Sequence, residues 1–139
     1  MNGYLLDTHS FLWTVFNSKN LGSQARSVIL DLDNVIYISS ITFWEISLKF
    51  STGKLDLENC ISEQLVSIAE QLNFKTLLLS SDESASFYSL PKLEHKDPFD
   101  RMLIWQAISN NLILISKDSK FESYSGIWLK NGLVIHNEQ

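Results

Sequence analysis

Four acidic residues lie beside apolar segments of this sequence, where a carboxylate could bind a metal ion or move a proton. Asp7 follows "GYLL", Glu45 lies within "ITFWEISLKF", Asp100 precedes "RMLIWQA", and Asp118 comes two residues after "LILIS". An ionised carboxylate at the edge of a protein core is costly unless it is paired, hydrogen-bonded or bound to metal. These four positions are therefore candidates for a functional site.

Some of these acids also have a structural interpretation. Asp7 and Asp118 precede helical patterns, and Asp is a favoured N-cap residue. Glu45 belongs to a narrow polar stripe, Thr42, Glu45 and Lys49, on an otherwise apolar helix. The stripe either faces water, with Glu45 paired to Lys49 at i,i+4, or faces a cleft. The sequence leaves both interpretations open.

The two acids of "HKDPFD" have different expected roles. Asp97 and the proline after it fit an N-cap and a first helical position, where the missing proline N–H costs nothing. Asp100 precedes Leu103 and Ile104 at helical spacing, so we expect its side chain to project inward from the apolar face. Gln106 is expected on another face. Asp97 is thus a predicted cap and Asp100 a predicted functional acid.

Short apolar segments alternate with helical patterns along the chain, which is typical of an α/β fold. Strands are predicted at 3–7, 35–39, 75–79, 112–116 and 132–136. Helices are predicted at 10–16, 22–32, 40–51, 59–72, 82–89, 98–110 and 119–124. Most of the strands lack polar alternation, so we predict a three-layer α/β/α sandwich with a central, mostly parallel five-stranded sheet. The carboxyl ends of parallel strands share one edge, where the four acids would meet.

Composition limits the class of protein. A chain of 139 residues, 45% hydrophobic and 12% aromatic, is expected to form a single domain over 1–139. The net charge of −5 argues against broad electrostatic binding to nucleic acid, although a local basic patch or a bound cation could recruit phosphate. The single Cys60 cannot form an internal disulfide, and neither a signal peptide nor an apolar run of about 18 residues is found. We expect a cytoplasmic protein with no membrane partner.

Four carboxylates at one edge would repel each other, and a divalent cation would relieve that repulsion. A set of oxygen ligands is hard in the chemical sense, so it indicates Mg²⁺ or Mn²⁺. His9, His95 and His136 are scattered, and no Cys/His pair has the spacing of a zinc site. Zinc is therefore not expected.

Four segments, "LLDTHSFLW", "SSITFWEISLKFSTGKL", "HKDPFDRMLIWQA" and "LILISKDSKF", resemble PIN-domain ribonucleases in order and spacing. The resemblance covers essentially the whole chain and extends to VapC-type toxins of bacterial toxin–antitoxin systems. It implies that the acidic quartet of that family falls on Asp7, Glu45, Asp100 and Asp118. Ser116 departs from the threonine that many relatives have there, but it retains the hydroxyl.

The resemblance implies hydrolysis of RNA by a metal-activated water, with Asp7 and Asp100 as direct ligands of Mg²⁺ or Mn²⁺. Glu45 and Asp118 would ligate directly or through water, and one could assist proton removal. Residues expected to support these acids are Thr8, Ser116 and Asp97. Residues that could contact RNA phosphates are Lys92, Lys96, Arg101, Lys117 and Lys120. The implied protein partners are a second copy of the chain and an antitoxin whose C-terminal segment occupies the acidic cleft.

Two other classes of function are consistent with parts of the sequence. A receiver-type phosphoacceptor domain is also a parallel α/β fold with clustered acids, and Lys117 invites the comparison. However, "KTLLLSSDE" and "LLDTHS" do not supply an acceptor after the third strand and an acid pair after the first. A non-catalytic PIN-fold module that binds RNA or protein is the nearer alternative. Loss of a quartet acid would favour it, and none is lost.

Overall fold

A five-stranded parallel sheet forms the centre of the molecule. The computed structural model describes residues 3–92 and 97–116, together with the backbone of one strand at 134–135. The strands are β1 (Gly3–Leu6), β2 (Val35–Ser39), β3 (Lys75–Leu77), β4 (Ile113–Ile115) and β5 (Val134–Ile135). Their order is β3-β2-β1-β4-β5, and every pairing is parallel. The predicted five-stranded sheet is confirmed.

Helices connect these strands. They are α1 (Thr8–Val15), α2 (Ser23–Leu30), α3 (Ser40–Ser51), α4 (Gln64–Gln71), α5 (Ser81–Ser86) and α6 (Pro98–Ser109), and a 3-10 turn follows α5 at Phe87–Ser89. The helix predicted at 119–124 lies outside the described residues. Within the described ranges, no helix has the length and apolar character needed to cross a bilayer.

The sheet separates two apolar cores because neighbouring side chains of a strand point to opposite faces. Tyr4 and Leu6 pack in one core with α1, α2 and α4, whereas Leu5 packs in the other with α6. Helix α3 contributes to both cores, through Ile46 and Ile41 respectively. This arrangement is the predicted three-layer α/β/α sandwich.

Two elements are shorter than the sequence predicts. Helix α4 begins at Gln64 instead of residue 59. Asn59 has a φ of 72°, a left-handed conformation that excludes that residue from a right-handed helix. Strand β3 does not occupy all of 75–79. The Leu79 N–H donates to the Ser40 hydroxyl at 3.0 Å instead of to a neighbouring strand. Local conformation and one long-range hydrogen bond therefore set these two boundaries.

A buried polar network joins β2, α5 and α6. Gln106, on α6, is fully buried. Its side-chain carbonyl accepts a hydrogen bond from the Ser39 hydroxyl, and its amide donates to Glu83 Oε1 at 3.2 Å. Asn110 donates to Glu83 Oε2 at 2.6 Å, and Ser80 and Glu83 form a capping box at the start of α5. The network fixes Ser39, the N-cap of α3, against α6.

Replacing Gln106 with Leu should lower the free energy of unfolding by about 1–3 kcal/mol, because buried groups of Ser39 and Glu83 would lose their partner. Desolvation alone would raise the pKa of Glu83, but its hydrogen bonds outweigh that influence and lower it, so the carboxylate stays charged. Urea unfolding at neutral pH measures the effect. Gln71→Leu, on an exposed position of α4, is the matched control and should change stability by less than about 0.5 kcal/mol. Equally small effects in both variants would show that the network contributes little.

Candidate active site

The candidate site lies at the carboxyl ends of three adjacent strands, β2, β1 and β4. The chain passes from β1 to β2 on one side, while β4 pairs with the other side of β1. The sheet edge beyond β1 and β4 is therefore the point where the strand order reverses, and open parallel sheets bind their ligands in a crevice at such points. Asp7 directly follows β1 and Ser116 directly follows β4.

Asp7 is only 4% exposed and is held at both carboxylate oxygens. Its Oδ1 accepts from the Ser10 N–H at 2.8 Å, which makes Asp7 the N-cap of α1. Its Oδ2 accepts from the Ser116 hydroxyl at 2.7 Å. The buried Ser10 hydroxyl in turn donates to the Ile115 carbonyl at 3.3 Å. The N-cap interpretation of Asp7 is confirmed, and the same contacts fix its carboxylate in the crevice.

Burial raises the pKa of Asp7, because desolvation penalises its charged form. Hydrogen bonds from Ser10 and Ser116 and the charge of the nearby His9 act in the opposite direction but do not compensate. A buried carboxylate in a crevice with a raised pKa is the kind of group that marks functional sites. Positive charge brought to Asp7 would stabilise its ionised form.

Asp7→Asn should make the metal-free protein more stable at neutral pH. Because the folded pKa of Asp7 is raised, its contribution to stability is greatest below the ordinary Asp pKa of about 4 and is lost as pH rises through the raised value. Asn keeps the cap, so it removes the buried charge at little cost. A gain of about 1 kcal/mol would raise Tm by roughly 3 °C in a domain of this size.

Thermal melts in EDTA and in millimolar Mg²⁺ provide the measurement. In Mg²⁺ the wild type should melt at a higher temperature than the Asp7→Asn protein, because a bound ligand stabilises the native state. Asp33→Asn makes the same change at an exposed position and should have little effect in either buffer. An Asp7→Asn protein that melts below wild type in EDTA would show that the carboxylate charge serves the cap.

Glu45 is 3% exposed, and its side chain lies between α3 and α1. Its Oε1 accepts from the Thr8 hydroxyl at 2.6 Å, and its Oε2 lies 2.5 Å from the Lys49 ammonium. Thr42, one turn earlier, is fully buried. The polar stripe of α3 therefore faces inward, and the water-facing alternative is wrong, although the predicted i,i+4 pair does form. Because Thr8 follows Asp7 in the chain, the start of α1 connects the two buried acids.

Lys49 lies among acids from two helices. Its side chain is 37% exposed, and partial desolvation by itself would lower its pKa. The hydrogen bond and charge of Glu45, together with the charges of Asp97 and Asp100, outweigh that influence and raise the pKa of Lys49. The amine is therefore an ammonium ion, and it pairs with Glu45 one turn earlier on α3.

The first turn of α6 has the predicted cap. Asp97 Oδ1 accepts from the backbone N–H groups of Phe99 at 2.8 Å and Asp100 at 3.1 Å, and Pro98 occupies the first helical position. The N-cap role of Asp97 is confirmed. Asp100 is partly buried in the first turn, where the helix dipole favours an acid.

The structure describes two of the five basic residues predicted to contact RNA. Lys92 is exposed. The Arg101 guanidinium lies 4.8 Å from the centre of the Phe87 ring and donates to the Leu90 carbonyl at 3.1 Å. Arg101 would have to exchange these internal contacts for an RNA phosphate, so Lys92 is the better placed of the two. The remaining residues, Lys96, Lys117 and Lys120, lie outside the described part of the chain.

The donor chemistry of the predicted acids fits a hard divalent cation. Asp7, Glu45 and Asp100 offer only oxygen atoms, the ligands that Mg²⁺ and Mn²⁺ prefer. Glu45 already binds a positive charge, that of Lys49. Among the residues that the structure describes, no three His, Cys, Asp or Glu side chains come close enough together to hold an ion. Asp118, the fourth predicted ligand, lies outside those residues.

Comparison with known proteins identifies one matching family and several solved structures with a similar fold. The PIN domain family model matches residues 4–127. No curated protein matches the sequence significantly. Similar solved structures include VapBC2 from Rickettsia felis bound to a DNA fragment from its promoter, with a TM-score of 0.63, 18% identity, and 96% of this chain and 98% of that chain covered. A toxin–antitoxin complex from Klebsiella pneumoniae has a TM-score of 0.63 and 20% identity, with 98% of each chain covered.

A third structure is a domain of a functionally unknown protein from Methanocaldococcus jannaschii DSM 2661. Its TM-score is 0.60 and its identity 15%, and the match covers 100% of this chain and 93% of that chain. At these identities the structural likeness shows a shared fold.

Proposed function

Because the chain belongs to the PIN domain family, we propose that it is a divalent-metal-dependent ribonuclease that acts as the toxin of a toxin–antitoxin pair. The observation that carries this proposal is the pair of buried carboxylates, Asp7 and Glu45, joined through Thr8 at the carboxyl ends of the strands. Such acids are costly in a core without compensating positive charge. Their position at the switch point of the sheet supports a ligand site.

The proposed metal ligands are acids that other side chains hold in place. Asp7 would ligate directly and is oriented by the Ser116 hydroxyl, while Glu45, oriented by the Thr8 hydroxyl, would ligate directly or through water. A bound Mg²⁺ or Mn²⁺ would supply a water activated for attack on a phosphodiester. The hydroxyl groups of Thr8 and Ser116 thus have positioning roles in this proposal.

The first turn of α6 would complete the site from the other side. Asp100 is proposed as a second direct ligand, and the Asp97 cap fixes the backbone N–H at that position. Asp118 would ligate directly or through water, and it or Glu45 could accept a proton from the attacking water. Lys92 is proposed as an RNA phosphate contact because it is exposed, whereas Arg101 makes internal contacts.

An antitoxin and a second copy of the chain are the proposed protein partners. The toxin–antitoxin complexes of similar fold support an antitoxin, and an acidic crevice suits a basic side chain from such a partner. The outer surface of α3 also exposes Trp44 (61%) and Leu48 (45%). Trp44 packs edge-on against Phe99 beside an apolar cavity of about 220 Å³. Exposed apolar surface of this kind is typical of protein–protein contacts. We propose that the protein acts in the cytoplasm.

A non-catalytic PIN-fold module that binds RNA or protein is the second candidate. One observation favours it: Oε2 of Glu45, a proposed ligand, is already paired with the Lys49 ammonium. The two candidates differ in whether phosphodiester bonds are broken.

Incubation of antitoxin-free protein with structured and unstructured RNAs tests the proposal, with DNAs of matched sequence for comparison. Each substrate is incubated with Mg²⁺, Mn²⁺ or EDTA. We expect RNA cleavage that requires the divalent ion. Binding of RNA without cleavage in any buffer would favour the binding module, and cleavage that persists in EDTA would contradict metal dependence.

A further inference from the structure

Lys49 is positioned to neutralise acids that come from two different helices. Its ammonium lies 2.5 Å from Glu45 Oε2, and the charges of Asp97 and Asp100 also act on it. Glu45 is buried on α3, whereas the other two acids belong to the start of α6. Lys49 therefore pairs directly with Glu45, and the two acids at the start of α6 add to the negative charge that acts on it.

A divalent ion bound to Glu45 would compete with this ammonium. Both carboxylate oxygens of Glu45 are engaged, Oε1 with the Thr8 hydroxyl and Oε2 with Lys49. Mg²⁺ binds carboxylate oxygen at about 2.0–2.1 Å, so an ion on Glu45 would lie within a few ångströms of the ammonium. Positive charges at that distance repel strongly in a partly buried site. The ion and the ammonium would therefore weaken each other's binding.

Lys49 is the partner that can withdraw. Its side chain is 37% exposed, whereas that of Glu45 is 3% exposed. The four-carbon stem of lysine is flexible, and its ammonium is readily solvated. The ammonium can therefore move into water while the Glu45 carboxylate stays in place on α3.

We propose that Lys49 is a tethered counter-cation that sets the metal affinity of the site. Its ammonium neutralises Glu45 in the metal-free protein and would be displaced when a divalent ion binds. This inference rests on the metal-binding part of the proposed function. It predicts that the wild-type protein binds metal less tightly than its acids alone would allow.

Calorimetric titration with Mn²⁺ of the antitoxin-free, full-length protein tests the inference without measuring cleavage. Lys49→Met should bind Mn²⁺ at least about five-fold more tightly than wild type, a difference of about 1 kcal/mol. Lys54→Met removes the same charge from an exposed neighbouring position and should stay within about two-fold of wild type. Lys49→Arg keeps the charge and should retain an affinity near that of wild type.

A second measurement is thermal unfolding of the same proteins. In EDTA, Lys49→Met should melt below wild type because Glu45 would lose its partner while remaining buried. Added Mn²⁺ should raise its Tm by more than that of wild type, in proportion to its tighter binding. If Lys49→Met does not fold, Lys49→Gln, which keeps a hydrogen-bond donor, provides the same comparison.

The outcomes distinguish this inference from the function on which it rests. Mn²⁺ binding to wild type with equal or weaker binding to the Lys49→Met protein would overturn the tethered-cation role alone. Tighter binding in both the Lys49→Met and Lys54→Met proteins would also overturn it, because the effect would then come from net charge. Mn²⁺ binding to none of the proteins would overturn the metal dependence of the proposed function and this inference with it.

Discussion

Asp7→Asn should reduce metal-dependent RNA cleavage by at least about 100-fold, which corresponds to a loss of about 2.7 kcal/mol of transition-state stabilisation. The carboxylate is buried and oriented by Ser10 and Ser116, so its replacement removes a proposed ligand charge from a fixed position. Asn is as good an N-cap as Asp, so α1 should remain intact. Single-turnover cleavage of the best RNA substrate in Mn²⁺ gives the rate, and circular dichroism checks the fold.

Asp33→Asn is the matched control for this experiment, because it makes the same change at an exposed position. It should cleave at a rate close to that of wild type. A folded Asp7→Asn protein with more than about a tenth of the wild-type rate, a loss below about 1.4 kcal/mol, would show that Asp7 acts mainly as a helix cap.

The two acids at the start of α6 should respond differently to the same substitution. Asp100→Asn should lower cleavage by at least about 100-fold, because it removes the charge of a proposed direct ligand. Asp97→Asn should lower it by less than about 10-fold, since Asn can still accept from the N–H groups of Phe99 and Asp100. The cleavage assay that is used for Asp7 measures both variants.

This comparison tests the division of labour between cap and ligand. Equally severe losses in both variants would assign Asp97 to the metal site as well, through its carboxylate charge. A mild loss in both variants would remove Asp100 from the proposed ligands. In either case the melting temperature of each variant separates loss of a ligand from loss of the helix.

Most of the sheet could be predicted from sequence because β1, β2 and β4 lie in short apolar segments bounded by polar residues. The α4 and β3 boundaries could not be, since they depend on the left-handed backbone of Asn59 and on the contact between Leu79 and Ser40. Gln106 illustrates the same limit. Its burial was not predicted, because its hydrogen-bond partners, Ser39 and Glu83, are distant in sequence.

One part of the candidate site could be predicted from sequence, the acid that directly follows β1. Asp7 could be selected because it ends a strand, and parallel strands end at a common edge. Thr8 and Ser116 were expected only through the resemblance to PIN-domain ribonucleases. The contribution of Ser10 was missed, although the spacing of Asp7 and Ser10 is that of an N-cap and its third helical residue. The inward direction of Glu45 could not be decided by periodicity, since either face of α3 agreed with the pattern. The Thr8 contact decides it.

The most direct test of the central claim is to follow oxygen from water into the cleavage product. Antitoxin-free protein would cleave its best RNA substrate in ¹⁸O-labelled water with Mn²⁺, and mass spectrometry would examine the new ends. Hydrolysis by a metal-activated water predicts one ¹⁸O atom in each terminal phosphate, no product in EDTA, and product formation at least about 100-fold slower with the Asp7→Asn variant. A 2′,3′-cyclic phosphate end, or unlabelled product formed equally well in EDTA, would contradict it.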